Sequence, residues 1–527
     1  MSLMAQQDSV TLTIEGVEVT VPRGTKIIEA AKQAGVVIPH YCYHPGLPVA
    51  GVCRMCLVEV EGAPKLSIAC ATDVADGQIV NVFNDDALAA RRAVLEFLLI
   101  NHPLDCPICD QAGECELQDY VFQEGRSGTR YGDYAKRFDP VEDFGEDVLY
   151  VPNRCILCTR CVRFMDHVAQ EDVINVSERG DRAFIGIHPD KDLNHEWAGN
   201  VVDLCPVGSL ISKDFLHKVR AWELDKTPSV CTGCSQGCNI TVDTRENVVV
   251  RLRPRVNTEV NRYFMCDTGR RHYRWMNRGD RIEAPLVSRG ADRMATDWEH
   301  ALAEAAQVVR GSGGHIVALV SANASNEALF LAKKLLADLE ATVAFRMPRV
   351  EGETPLAGVP GLALREERVA NAAGAAALGY EDDFDGALHA ANDASLVIIV
   401  DDDLSGVSEE QLSGAANIIY VGTLLPDVAR RACVVLPIAN AVEEDGTFTN
   451  RDRRVQRYLQ AKAAPGMARP AWWVLSELLR ELGHGDVFAS ADEVFAALAD
   501  AEEAFQGLSY DNLGLLGRAM AAAGASV

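Results

Sequence analysis

Sixteen cysteines are spread through 527 residues so unevenly that they divide the chain: fifteen lie between Cys42 and Cys266, and Cys433 stands alone in the last half. Thiols crowded in this way are either cross-linked or hold metal, and both demand loops that a plain hydrophobic core would not. The start, "MSLMAQQDSVTLTIEG", lacks the basic, apolar and small-residue succession of a signal peptide. The chain therefore reads as cytoplasmic and its cysteines as metal ligands rather than disulfides. No run is long and apolar enough to cross a bilayer, which leaves docking on a membrane complex open. A net charge of −26 argues against nucleic acid as a partner and otherwise serves solubility.

Residues 10–14 and 17–21 alternate branched and polar side chains around Glu15-Gly16, which is a hairpin signal. "KIIEAAKQAG" then predicts a short helix, capped by Thr25 and stopped at Gly35. Two strands, a helix and a cysteine-bearing loop suggest a β-grasp domain. Its cysteines run Cys42-x10-Cys53-x2-Cys56-x13-Cys70, with Gly51 allowing the backbone close to a bound group. Zinc sites usually pair two C-x2-C knuckles. One such pair with two isolated cysteines favours a [2Fe-2S] cluster instead.

Two further quartets follow. Cys155-x2-Cys158-x2-Cys161 with a remote Cys205-Pro206 is the spacing that wraps a [4Fe-4S] cubane. Arg154, Arg160 and Arg163 interleave these ligands, where they offset thiolate charge or simply face solvent. Cys231-x2-Cys234-x3-Cys238-x27-Cys266 also reads as a [4Fe-4S] site, with Gly233 and Gly237 for tight turns and a β-hairpin in residues 239–255.

The remaining trio, Cys106, Cys109 and Cys115, lacks a fourth ligand. The three quartets use twelve of the sixteen thiols, so either the distant Cys433 completes the trio or a non-cysteine residue does. Residues 85–101 predict a helix that Pro103 ends, which puts His102 at the helix end, four residues before Cys106. A histidine there more often meets the helix carbonyls. Beside an incomplete thiolate set, ligation is the favoured reading.

A four-cysteine site, a site of one histidine and three cysteines, and two more four-cysteine sites, in this order, resemble the large iron–sulfur subunit of bacterial respiratory complex I, the family of the NADH-quinone oxidoreductase G subunit. The resemblance implies that His102, Cys106, Cys109 and Cys115 hold a [4Fe-4S] cluster, giving one [2Fe-2S] and three [4Fe-4S] clusters in all. It also implies that the Cys42, His102 and Cys155 sites form the main relay and that the Cys231 site is off the path. The rear half resembles the molybdopterin-oxidoreductase fold. Residues 315–345 read as strand, loop, helix and strand, and 394–403 and 417–422 as two more buried strands, which together imply a doubly wound α/β sheet. "EEDGTFTNRDRRVQ" matches that fold's glycine-threonine-asparagine signature at Gly446, Thr447, Asn450 and Gln456. The chain ends at Val527, short of the domain that usually completes a pterin site, and Cys433 lies in an apolar run that suits a structural thiol. No molybdopterin is therefore expected.

The expected architecture is multidomain α+β and α/β. It comprises a [2Fe-2S] β-grasp domain (1–85), a histidine-plus-three-cysteine region (86–125) and a ferredoxin-like [4Fe-4S] domain (126–223). A β-rich molybdopterin-oxidoreductase-type [4Fe-4S] domain (224–284), a cofactor-free α/β domain (285–480) and a helical tail (481–527) follow. No G-x-G-x-x-G follows a strand and no G-x4-G-K-[ST] loop is present, so no nicotinamide, flavin or catalytic site is expected on the chain itself. The resemblance implies electron transfer within an NADH:quinone oxidoreductase. Its partners would be a flavin-bearing NADH-binding subunit, a small [2Fe-2S] subunit and quinone-module subunits. Its place would be the peripheral arm on the cytoplasmic side of the inner membrane. An NAD-linked formate dehydrogenase or hydrogenase complex is the alternative.

Overall fold

Two compact units emerge in the computed structural model, which describes residues 9–132, 136, 138–289 and 292–521. The first comprises Met1–Glu223 with Leu356–Pro360, and the second Leu224–Pro355 with Gly361–Val527. The extreme N-terminus, on which the signal-peptide reading falls, and the last six residues of the expected tail lie outside the described residues.

In the first unit, strands Ser9–Ile14 and Val17–Pro22 pair antiparallel through a turn whose two residues, Glu15 and Gly16, both have positive φ (+49° and +78°). Such a turn matches the right-handed twist of a hairpin. Ile79–Asn81 joins parallel to the first strand, and Leu57–Val60 and Ser67–Ile68 complete a five-stranded sheet. Helix Ile27–Gln33 packs Ile27, Ile28, Ala30 and Ala31 into its core. Its cap is Lys26, not Thr25 as expected; the Thr25 hydroxyl instead donates to the Pro22 carbonyl at 2.7 Å. The stop does fall at Gly35. The Gly35 N–H reaches Lys32 O (3.2 Å) and the Val36 N–H reaches Ala31 O (2.8 Å), closing a Schellman motif that the positive φ of Gly35 permits.

Helix Asp85–Leu99 begins at Asn84, whose side chain accepts from the Ala87 N–H, and ends before His102. It hides a charge that its apolar stripe does not announce. Arg91 is fully buried, ion-paired to Glu124 at 3.0 Å and donating to the Val82 carbonyl at 2.6 Å. That pairing fastens this helix to Glu116–Glu124, the helix that follows the cysteine trio.

The second unit opens with a three-stranded antiparallel sheet, Asp225–Val230, Asn239–Arg245 and Val248–Pro254. Behind it in sequence stands a seven-stranded sheet. Five parallel strands run in the order Val434–Pro437, Ile418–Gly422, Leu396–Val400, Ile316–Ser321 and Thr342–Arg346, with the hairpin Leu286–Arg289/Asp292–Ala295 on one edge. Successive residues go to opposite faces. Ala318, Val320, Ile398 and Val400 meet helices Trp298–Gly311, Asn326–Asp338 and Ala471–Leu482. Val317, Leu319, Val397 and Ile399 meet helix Phe384–Ala391. A parallel sheet covered on both faces is the expected doubly wound layer. The tail is mostly helical but not separate: Phe495, Leu498 and Phe505 enter the same core, and Arg518–Ala519 pair with Arg454 and Val455. Among the described residues, no helix is long and apolar enough to cross a membrane.

Candidate metal centres

The loop between helix Ile27–Gln33 and strand Leu57–Val60 carries Cys42, Cys53 and Cys56, and Cys70 follows strand Ser67–Ile68. Left-handed backbone at Gly51 (φ +65°) and Arg54 (φ +58°) bends this loop on itself. The four thiols follow one another in a row of side-chain contacts, Cys53 to Cys42 to Cys70 to Cys56. Four adjoining sulfurs suit two irons, each needing two protein ligands. The Cys42 N–H also points at the Cys53 sulfur, 3.5 Å away.

Cys155, Cys158, Cys161 and Cys205 line one small cavity together with Tyr150, Ile185, Val207 and Leu210. Leu157 (φ +52°) and Thr159 (φ +60°) adopt left-handed backbone between the cysteines, which is how so short a run turns three side chains inward. Helix Asn200–Leu204 delivers Cys205 at its C-terminal end. Burial pushes the thiols up, Cys158 to about 12 and Cys205 to about 11. Neutral thiols are therefore the stable form until a cation compensates the charge, as iron would.

Cys106, Cys109 and Cys115 are also brought together. Burial first, and then the neighbouring thiols Cys109 and Cys106, hold Cys115 at about 11 despite amide hydrogen bonds. Gly208 closes over the site so tightly that a Cβ there would lie 2.1 Å from the Cys109 sulfur. Burial, then the charges of Lys136 and Arg154, hold the His102 imidazole down at about 4. It is thus neutral, with a free lone pair, at physiological pH. Tyr41, wholly buried, lies beside Cys115 and Cys53, and among the described residues its hydroxyl has no hydrogen-bond partner. A buried orphan donor beside thiols fits a site that takes an anionic iron–sulfur group.

The fourth quartet belongs to the second unit. All four thiols are buried, and Cys231 and Cys266 converge on Gly269, where a Cβ would stand 3.2 Å from each sulfur. The Gly269 N–H points at the Cys266 sulfur (3.3 Å) and the Gly233 N–H at the Cys231 sulfur (3.5 Å). Among the described residues, no three His, Cys, Asp or Glu side chains close on a point that would hold a single ion. Cys433 is remote from these sites in its role: its thiol donates to the Ile418 carbonyl at 3.1 Å and packs on the α/β core.

Family profiles divide the chain in the same order. The 2Fe-2S iron-sulfur cluster binding domain matches residues 7–84, and the NADH-ubiquinone oxidoreductase-G iron-sulfur binding region matches 91–130. The NADH-quinone oxidoreductase subunit 3 ferredoxin-like domain matches 145–211. The molybdopterin oxidoreductase Fe4S4 domain matches 224–278, and molybdopterin oxidoreductase 366–481. The NADH-quinone oxidoreductase G subunit of Rickettsia conorii is 39% identical over 331 residues, 63% of this chain and 49% of that protein. Over these residues the chain is similar to the NADH-quinone oxidoreductase G subunit. The mitochondrial NADH-ubiquinone oxidoreductase 78 kDa subunit of Neurospora crassa is 41% identical over 353 residues, 66% of this chain and 47% of that protein. The chain spans about half the length of these relatives. A solved chain of an NAD+-reducing [NiFe]-hydrogenase is 28% identical with a TM-score of 0.36, covering 40% of this chain and 90% of that one.

Three arginines of the chain do more than their spacing suggested. Arg154, Arg160 and Arg163 are buried, and each bridges cysteine loops that are distant in sequence. Arg163 donates to the carbonyls of Cys42 (2.5 Å) and Cys158 (3.2 Å). Arg160 donates to the carbonyls of Tyr43 (2.8 Å) and Leu204 (3.2 Å) and pairs with Glu116 at 2.9 Å. Arg154 joins Asp105, at 2.8 Å, to the Gly208 carbonyl. Around them Tyr41, Cys42, Cys115, Cys158 and Val207 form one hydrophobic cluster, so the three sites of the first unit share a single dry core. Sequence reasoning located the thiols but not these bridges. Three arginines placed among cysteines were the available signal.

Proposed function

We propose that the chain is the electron-transferring iron–sulfur subunit of an NADH:quinone oxidoreductase. Its partners are a flavin-bearing NADH-binding subunit, a small [2Fe-2S] subunit and the quinone-module subunits, in the peripheral arm on the cytoplasmic side of the membrane. Cys42, Cys53, Cys56 and Cys70 hold a [2Fe-2S] cluster. His102 with Cys106, Cys109 and Cys115, Cys155 with Cys158, Cys161 and Cys205, and Cys231 with Cys234, Cys238 and Cys266 hold [4Fe-4S] clusters. Six domains, with boundaries after residues 85, 125, 223, 284 and 480, carry these sites and the cofactor-free rear.

The observation that carries this reading is the shared core: three separate ligand sets open on one water-excluding cluster of side chains and are pinned to one another by buried guanidinium groups. Bound clusters would supply one-electron sites of graded potential. The chain's own residues hold the ligands, keep water out, and direct amide N–H groups at the sulfurs. Arg160 and Arg163 fix the separation of the sites. Iron and sulfide quantitation with low-temperature EPR of the reduced protein tests the proposal. About fourteen irons per chain and four distinguishable clusters are expected from one two-iron and three four-iron groups. A colourless zinc protein would overturn it.

A further inference from the structure

The glycine-threonine-asparagine hairpin of the rear unit has no ligand to bind in this reading, yet its Asn450 and Gln456 are buried and donate to a cysteine loop. Strands Gly446–Thr449 and Arg454–Tyr458 pair antiparallel, and their turn faces the loop between Cys234 and Cys238. Three consecutive carbonyls of that loop each accept a hydrogen bond from the hairpin. The Arg451 N–H donates to Ser235 O at 2.9 Å, Asn450 Nδ2 to Gln236 O at 3.2 Å, and Gln456 Nε2 to Gly237 O at 2.9 Å. Asn450 and Gln456 are each 1% exposed. Gly237 (φ +60°) is obligatory here, because a Cβ would lie 2.9 Å from the Asn450 Cβ and 3.0 Å from Gln456 Oε1. The Asn450 Oδ1 accepts from the Asp452 and Arg454 N–H groups, which makes the donor's position part of the turn itself.

A trans peptide holds its C=O and its N–H on opposite sides. Turning the carbonyls of residues 235–237 towards the hairpin therefore turns the next N–H groups away from it. The N–H groups of Gln236 and Cys238 are thereby directed to the cysteine side of the loop, and the Gly237 N–H closes the turn on the Cys234 carbonyl at 3.2 Å. Peptide N–H dipoles directed at a thiolate-held cluster stabilise its more negative, reduced state and raise its potential.

We propose that Asn450 and Gln456 are positioning residues for the Cys231 site: the signature hairpin sets the peptide orientations of the Cys234–Cys238 loop and thereby the potential of the cluster held there. This rests on the reading of Cys231, Cys234, Cys238 and Cys266 as cluster ligands. The molybdopterin-oxidoreductase-like unit thus serves the fourth iron–sulfur site.

The test compares the full chain with Gln456→Met, which keeps the length of the side chain but loses the donor, and with Asn450→Asp, which keeps the turn-closing acceptor but loses Nδ2. Iron per chain and a potentiometric EPR titration are read for each, with Cys234→Ala identifying the signal of the fourth site. Both variants should retain the iron content while the fourth signal moves to lower potential and the other three stay in place. An unchanged fourth signal and potential in a folded, iron-replete variant would overturn the positioning role while leaving the ligand assignment intact. A wild-type chain whose spectrum and iron content do not respond to Cys234→Ala would overturn the ligand assignment, and the proposal with it.

Discussion

At the scale of single residues, His102 and Arg163 make the sharpest predictions. A neutral imidazole in place of a thiolate removes one negative charge from a ligand set, so the reduced state is easier to reach. His102→Cys should lower the potential of that site in an EPR-monitored redox titration, and His102→Ala should abolish or alter its signal; an unaltered signal would sink the assignment. Arg163 reaches four carbonyls with one planar guanidinium, Thr159 from Nε, Pro48 from Nη1 and both Cys42 and Cys158 from Nη2, and a lysine ammonium cannot span them all in the same geometry. Arg163→Lys should therefore cost about 1–3 kcal/mol of stability, read from a denaturant midpoint, through the buried carbonyl left unpaired. The grouping of the cysteines was legible from spacing because short loops bring neighbours in the chain together. The buried role of Arg163, of Arg91 and of the Tyr41 hydroxyl was not, since nothing beside them in the chain says what will close over them.

Helices and strands were readable to the extent that their signals sit inside them. The hairpin at Glu15-Gly16, the stop at Gly35 and the buried β-runs of the rear sheet all carry their own periodicity and turn residues. Lys26 as cap in place of Thr25 is a shift of one residue, decided by the Thr25 hydroxyl finding the Pro22 carbonyl first. Two substitutions probe this scale. Asn84→Ala removes the side-chain cap of helix Asp85–Leu99 and should cost about 1 kcal/mol, seen as a lower melting temperature. Gly269→Ala, in helix Asp267–Arg271, places a methyl 3.2 Å from two cysteine sulfurs. It should reduce iron content and erase the fourth EPR signal while circular dichroism stays near wild type, because the clash falls on the site rather than on the core.

The whole molecule adds a dependence on pH that no motif suggests. Glu327 is fully buried, accepting from the Thr447 N–H (3.0 Å), the Thr447 hydroxyl (2.8 Å) and the Tyr510 hydroxyl (2.9 Å). Burial outweighs these bonds and raises its carboxyl from 4.5 to about 6. A raised carboxyl favours folding in its protonated form, so its contribution is complete below about 4.5 and is lost as pH rises through about 6, a change of about 2 kcal/mol. Glu327→Gln should flatten that part of the stability–pH curve and stabilise the protein at pH 8; a curve as steep as wild type would show that another group titrates.

From the sequence alone came the grouping of the cysteines, the order of the groups and the doubly wound character of the rear half. All of these are written in spacings of a few residues, which covalent geometry translates directly into loops, strands and helices. Tertiary structure decided what those spacings cannot contain. It brought three cysteine groups onto one hydrophobic core, buried Arg160 and Arg163 between them, folded the tail back to pair Arg518–Ala519 with Arg454 and Val455, and turned Asn450 and Gln456 onto the Cys234–Cys238 loop more than 200 residues away. The physical reason is the same in each case. A buried donor must find an acceptor, and in a folded chain the nearest acceptor is chosen by packing, not by distance along the sequence.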